Sequence, residues 1–220
     1  MTDGIILIDK PAEMTSFGVV ARIRRVLSRD AGKKVKVGHT GTLDPFATGL
    51  MILTIGKECK NAGSYSKLDK VYEATIRLGE ASTTGDPEGE ITKDETVAEI
   101  SREKIDEALE KFRGEITQRP PIFSAIKING QRAYKLARDG QEVEIPERQV
   151  TVFSLEVINY SYPELQIRTH VSSGTYIRSL AVDIGKALGV SAYCSQLRRT
   201  SIAKWSVTEA KTLKEYGIDS

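Results

Sequence analysis

Strand-like and helix-like segments interleave along this chain. They predict an α/β (α+β) fold, with a mixed, mostly antiparallel central sheet flanked by helices. Three observations carry the prediction. In residues 70–79, KVYEATIRLG, Tyr72, Ala74, Ile76 and Leu78 alternate with Val71, Glu73, Thr75 and Arg77, the period of a half-buried strand. Residues 150–160 and 165–171 read as two strands joined by a turn around Tyr162, Pro163 and Glu164. Apolar residues recur at helical spacing twice, as Val19, Val20, Ile23, Val26 and Leu27 and as Ile177, Leu180, Ala181, Ile184 and Leu188.

The other elements follow from local signals. Residues 4–9, GIILID, form a short apolar strand that Lys10 and Pro11 end, and Thr15 or Ser16 can cap the helix behind it. Residues 50–55, LMILTI, read as a buried strand, followed by a turn and short helix. Ser101 caps an acidic helix through Phe112, with Ile105, Ala108, Leu109 and Phe112 on its buried face and Gly114 ending it. Residues 118–148 break the pattern. Pro120 and Pro121 stop any helix, Asn129-Gly130 is a hairpin-type turn, and residues 133–138 fit one short helix. Carrying Lys127, Arg132, Lys135 and Arg138, this long insertion suits a mobile clamp. Residues 192–207 read as a closing strand and 208–216 as a last short helix.

At 220 residues and 40% hydrophobic, the chain can bury one sizeable core, so a single domain over 1–220 is expected. The longest apolar run is broken at Thr54 and stops at Gly56, too short for a membrane span. The N-terminus has an acid before its apolar run and no cleavage site, unlike a signal peptide. Cys59 and Cys194 are expected as free thiols, and with His39 and His170 they show no metal-ligand spacing. A cytoplasmic protein without metal is the expectation. The net charge of +2 alone does not suggest nucleic acid. Its distribution does: residues 22–36 hold seven bases (Arg22, Arg24, Arg25, Arg29, Lys33, Lys34, Lys36) against one acid, Asp30, and lead into the loop described next.

Residues 37–60, VGHTGTLDPFATGLMILTIGKECK, cannot be read as ordinary scaffold. Glycines, a proline and small residues before a core strand describe an ordered loop held close to something. Asp44 is its only carboxylate, between apolar Leu43 and Pro45. A lone acid on a rigid loop is how a reactive group is kept in place, although an Asp-Pro in a loop also serves to cap a turn. No Gly-Lys-Ser/Thr ending marks a nucleotide-binding loop.

GHTGTLDPFATGLM resembles the catalytic loop of the TruB-type tRNA pseudouridine synthases, which isomerise the uridine at position 55 in the tRNA T-loop. The resemblance extends through IDKPAEMTSFGVV, which packs beneath the active-site loop in that family, and through GTYIRSL. It implies the pseudouridine synthase fold, with residues 118–148 as a thumb that closes on the T-arm stem-loop. It makes Asp44 catalytic and has His39 hold the target nucleotide out of its stack. Tyr72 lies against the uracil face, where stacking is worth roughly 1–3 kcal/mol. Tyr176 borders the pocket, Arg178 pairs with the catalytic Asp, and Leu197 packs on the base. Lys60, Arg132, Arg198 and Arg199 are the RNA-binding candidates; Lys10 and Pro11 are read as structural. The segment ASTTGDPEGEI departs from the family, with Thr83 where relatives usually carry an Asp, while Asp86 and Gly89 keep their places. Relatives also continue into a PUA-type RNA-binding domain, which this chain is expected to lack.

The reaction so implied breaks the N1–C1′ bond, turns the uracil and rejoins it through C5, so no cofactor is expected. A dry pocket lined by Tyr72 and Leu197 raises a carboxyl pKa. An Arg–carboxylate attraction of about 4 kcal/mol at ~4 Å and a dielectric of ~20 offsets this. The expected partner is tRNA, with no membrane, no obligatory protein partner and a monomeric enzyme. Two alternatives stand beside this reading: the catalytic core of an RNA-guided pseudouridine synthase, and a non-catalytic RNA-binding or folding module.

Overall fold

The computed structural model describes residues 3–96, 98–124, 126–128, 131–133 and 145–218. Its elements run β1 (Gly4–Lys10), α1 (Ser16–Asp30), β2 (Val37–His39), β3 (Thr48–Ile55), a 3-10 turn (Gly56–Asn61), α2 (Ala62–Ser66), β4 (Lys70–Leu78), β5 (Glu80–Ser82), β6 (Ile91–Lys93), α3 (Arg102–Glu110) and β7 (Gly114–Gln118). They continue with β8 (Lys127–Ile128), β9 (Gln131–Arg132), β10 (Arg148–Ser161), β11 (Glu164–Val171), α4 (Ile177–Ala187), β12 (Ala192–Ile202), β13 (Trp205–Ser206) and β14 (Lys211–Thr212). The expected class is found: mixed, mostly antiparallel sheet with few helices. The chain forms two compact units, Met1–Glu73 with Leu197–Ser220, and Ala74–Gln196.

In the first unit β3 is the core strand, buried at seven consecutive positions as its near-continuous apolar sequence requires, Thr54 included. It pairs antiparallel with β1 and β2 and parallel with β12, where Arg198 and Arg199 stand opposite Thr48 and Gly49. Leu50, Ile52 and Ile202 pack with Ile5, Leu7, Tyr65, Leu68 and Trp205. Helix α1 starts where its cap signal places it. The Thr15 hydroxyl accepts from the Gly18 N–H, and Val19, Val20, Ile23 and Leu27 are buried along one stripe.

In the second unit β10 lies between β7 and β11, antiparallel to both, and β4 follows beside β11. Strand β4 shows the expected alternation except at Thr75: Ala74, Ile76 and Leu78 are buried and Val71, Glu73 and Arg77 half-exposed, while Thr75 is buried as well. Helix α3 packs on α4 and β10 through Ile105, Ala108 and Leu109.

Four local expectations are corrected. Helix α3 ends at Glu110, and Gly114, at φ +83°, opens strand β7 instead of closing the helix. The run after Ile202 is not one strand: Ala203 (φ +45°) and Lys204 reverse it, so that β13 pairs back on β12. Residues 208–216 are not a helix but two 3-10 turns flanking β14, which adds to β1 in parallel. There Glu215 accepts both the N–H and the hydroxyl of Thr212, a local bond that competes with helix formation. The fourth concerns Arg199 and is taken up with the site. In the expected thumb, β8 pairs antiparallel with β9, while the expected turn at Asn129-Gly130 lies outside the described residues. Of the expected helix at 133–138 only Ala133 is described, and it is buried; residues 134–138 and the side chains of Lys127 and Arg132 lie outside the described residues.

Candidate active site

Asp44 sits half-buried between β2 and β3, in a segment with no regular backbone ladder. Fixing such a segment needs other partners for its main chain. The first unit supplies one at nearly every step. Ile52 O accepts from both the N–H (3.2 Å) and the hydroxyl (3.3 Å) of Thr40. The Arg199 guanidinium donates to Gly41 O (3.3 Å) and Leu50 O (2.7 Å), spanning the loop's two ends. Ser16, the first residue of α1, accepts from Leu43 N–H (2.8 Å) and donates to Leu43 O (2.9 Å), both inside the protein. Lys10, at 0% exposure, donates to Pro11 O, Met14 O and Pro45 O, so one ammonium joins the end of β1, the approach to α1 and the residue after Asp44. Asp44 O accepts from Ala47 N–H at 3.2 Å.

Gly49 closes the loop at φ +107°, and a Cβ there would lie 2.3 Å from Arg199 O. Glycine is required both by the left-handed backbone and by the close approach of β12. Arg199 was expected among the phosphate ligands. It is instead 1% exposed, and its donors hold the carbonyls of Gly41 and Leu50. Its place in the sequence beside Arg198 suggested a shared role, but strand alternation sends the two side chains to opposite faces. Arg198 is ion-paired with Asp9 at 2.8 Å, with Thr48 beside it, and remains 40% exposed.

The same alternation puts Leu197 on the Arg199 face of β12. Leu197 and Tyr72 are both buried, at 8% and 7% exposure. His39 is half-buried at the end of β2, opposite Leu53 of β3, one residue before Thr40. Lys60 is exposed on the 3-10 turn after β3. Lys70, which the sequence does not single out, is buried two residues before Tyr72. Its ammonium donates to Ser66 O (3.0 Å) and to Leu68 O. Burial, followed by the charge of Arg199, lowers its pKa to about 8.

In the second unit Arg178 occupies the first turn of α4, fully enclosed. Its guanidinium donates to Asp86 (2.9 Å), to Thr84 O (3.1 Å) and to Phe123 O (2.8 Å). Arg178 and Asp86 are 3% and 4% exposed, a buried ion pair. A cation at a helix N-terminus needs a specific partner, and Asp86 is one. Asp86 is itself fixed by the Thr84 hydroxyl and the Glu88 N–H (3.0 Å). Tyr176, the N-cap of α4, is clamped by Gln118, whose amide donates to Tyr176 O (3.0 Å) and accepts from its N–H (2.8 Å). The Arg148 guanidinium lies over the Tyr176 ring at 4.8 Å. Ser16 was legible only as a possible helix cap, and its hold on Leu43, like the roles of Gln118 and Arg148, escaped the sequence reading because the partners lie 27 to 58 residues away or across strands, where no local pattern reports them.

A family model described as TruB family pseudouridylate synthase (N terminal domain) matches residues 24–177. The chain belongs to this family. It is 44% identical over 214 residues to the tRNA pseudouridine synthase B of Azoarcus sp. (strain BH72), spanning 97% of this chain and 69% of that protein. It is 43% identical to the tRNA pseudouridine synthase B of Thermobifida fusca (strain YX), covering 100% and 76%. With that of Aquifex aeolicus (strain VF5) it shares 44% identity, covering 97% and 73%. Among solved structures, a chain of a Cbf5-Nop10-Gar1 complex superposes with TM-score 0.73 and 31% identity over 98% of this chain. A chain of an H/ACA RNP bound to a substrate RNA containing 2'-deoxyuridine gives 0.70 and 29% over 99%. This chain spans 57% and 56% of those two chains.

Proposed function

We propose that the protein converts uridine to pseudouridine in tRNA, at position 55 of the T-loop, with Asp44 as the catalytic carboxylate. The observation that carries this reading is the 44% identity to a tRNA pseudouridine synthase B over 97% of the chain, joined to a loop whose main chain is held on both sides of Asp44. Isomerisation conserves every atom. The C1′–N1 bond breaks, C1′ bonds to C5, the C5 proton leaves and N1 takes up a proton. The protein's work is therefore positioning and charge placement. The base leaves its stack at a cost of a few kcal/mol, which an aromatic face and an apolar wall offset. Tyr72 and Leu197 are assigned to these roles, with His39 next to the loop. Tyr176 and Arg178 belong to the second unit and enter the proposal on the family resemblance. Lys60, Arg132 and Arg198 are assigned to the RNA backbone.

The partner is the T-arm stem-loop of tRNA, met by a cytoplasmic, monomeric enzyme with no obligatory protein partner. Among the described residues no helix is long and apolar enough to cross a membrane. The fold likeness to chains from Cbf5 complexes favours a second reading, the catalytic core of an RNA-guided synthase. The higher identity to the tRNA pseudouridine synthase B proteins ranks it second. Purified chain with bare T-arm stem-loop separates the two, since the first reading requires product without partners. Asp44→Asn should bind the stem-loop with near-native affinity and give no carbodiimide-reactive pseudouridine. Product at a comparable rate from that variant would remove Asp44 from the mechanism.

A further inference from the structure

We propose that the outer face of α1 is an RNA-binding strip in which Phe17 stacks on a base beside the target uridine and the arginines behind it hold the backbone. The inference rests on the reading that the ligand is a tRNA stem-loop. Its first support is exposure. Phe17 is 65% exposed, in a helix whose other large apolar residues are buried or half-buried. An isolated exposed phenylalanine needs no explanation, but this one belongs to a solvent-facing arc of the helix that also carries cations. Arg22, Arg25 and Arg29 are exposed and Arg24 half-exposed on the same helix, and Lys33, Lys34 and Lys36 are exposed in the segment that follows. Among the described residues this group makes one ion pair, Arg29 with Asp30 at 3.1 Å. Among the described residues the remaining charges make no ion pair within 4 Å, so this face carries net positive charge and attracts an anion.

The second support is attachment. Phe17 immediately follows Ser16, whose hydroxyl is bonded twice to Leu43, the residue before Asp44. Lys10 ties Met14 O, just ahead of the helix, to Pro45 O, just after Asp44. The start of α1 is thus fastened to the catalytic loop on both sides of the carboxylate, and the ring at position 17 stands at that end of the strip. From Phe17 to Arg25 the helix rises about 12 Å. An aromatic surface with a track of guanidinium groups is the combination that binds single-stranded or looped RNA through stacking and phosphate contacts. A solvated basic face would account for the arginines, but not for a ring left exposed one residue from the serine bonded to that loop.

The test is binding of a fluorescent T-arm stem-loop across a range of salt concentrations. Phe17→Ala should weaken affinity roughly five- to hundredfold, the range for one lost base stack, and Phe17→Trp should restore it. Arg22→Gln with Arg25→Gln should flatten the plot of log affinity against log salt by about 1.4–1.8, or 0.7–0.9 per phosphate contact. Both positions are exposed, so these variants keep the fold, and matching thermal melts check this. Affinity within twofold of wild type for Phe17→Ala, or an unchanged salt slope for the arginine pair, overturns the strip while leaving the proposed reaction standing. So does a change in self-association of Phe17→Ala with no change in RNA affinity, which would make this face a contact between copies. Failure of the wild-type chain to bind the stem-loop at all removes the underlying reading and the strip with it.

Discussion

Replacing Ser16 with alanine tests whether the Asp44 loop is held as described. The hydroxyl is buried at 3% exposure and makes two bonds, at 2.8 and 2.9 Å, to the N–H and carbonyl of Leu43. Leu43 is equally buried, so water does not replace the lost oxygen. Each stranded polar group costs roughly 1–3 kcal/mol, so the pair costs about 2–6 kcal/mol in all. For a chain of this size that lowers the melting temperature by roughly 4–24 °C. Leu43 precedes Asp44, so the carboxylate also loses its fixed position. Each 1.4 kcal/mol of lost positioning is about a factor of ten in rate. Single-turnover release of tritium from C5-labelled uridine in a stem-loop should therefore slow at least tenfold at saturating enzyme. Thr15→Ala is the control. It removes the helix cap, worth about 1 kcal/mol, but its hydroxyl is bonded to Gly18 and not to the loop. It should lower stability and leave the rate alone. If Ser16→Ala melts within a degree of wild type and turns over normally, or if Thr15→Ala slows the reaction as much, the loop is not held through this bond.

Three further outcomes follow from the same geometry. Asp86→Ala takes a buried carboxylate partner from the enclosed Arg178 guanidinium and should destabilise the second unit by about 3–5 kcal/mol in urea titration, whereas an exposed acid such as Asp106, paired with Arg102 on the surface, should cost under about 1 kcal/mol. Gly49→Ala forces a Cβ into the Arg199 carbonyl at a left-handed φ, and should yield insoluble or grossly destabilised protein on expression. Lys70 carries a pKa lowered to about 8 in the folded chain against 10.5 when unfolded. The unfolded state thus binds more protons between these values, and stability relative to Lys70→Met should rise as pH goes from 8 to 10.5, by up to about 3 kcal/mol. A flat difference in melts across that range would refute the shift.

What the sequence discloses, and what it hides, divides along physical lines. Strand β4 and helices α1 and α4 are legible because their burial repeats at two or at 3.6 residues, and burial is what composition reports. The Thr15 cap is legible because its partner is three residues away. Asp44 stands out as the one acid in a glycine-rich loop, but the groups holding that loop do not, since Ser16 and Arg199 reach it from 27 and 158 residues away. Arg199 shows the limit best. Beside Arg198 it reads as a phosphate ligand, and only the pairing of β12 with β3 reveals that its side chain turns inward. The 208–216 segment misleads for the opposite reason, because its composition permits a helix while Thr212 and Glu215 bond to each other first.

The grip on the Asp44 segment has a practical corollary for engineering. Every tie to Thr40, Gly41, Leu43, Pro45 and Leu50 engages a backbone atom. The exposed side chain of Thr42 and the half-exposed one of Phe46 bear none of that tension. A randomised library at these two sites would vary the rim around the carboxylate while its footing stays put, a natural place to seek enzymes that accept a different nucleoside neighbour.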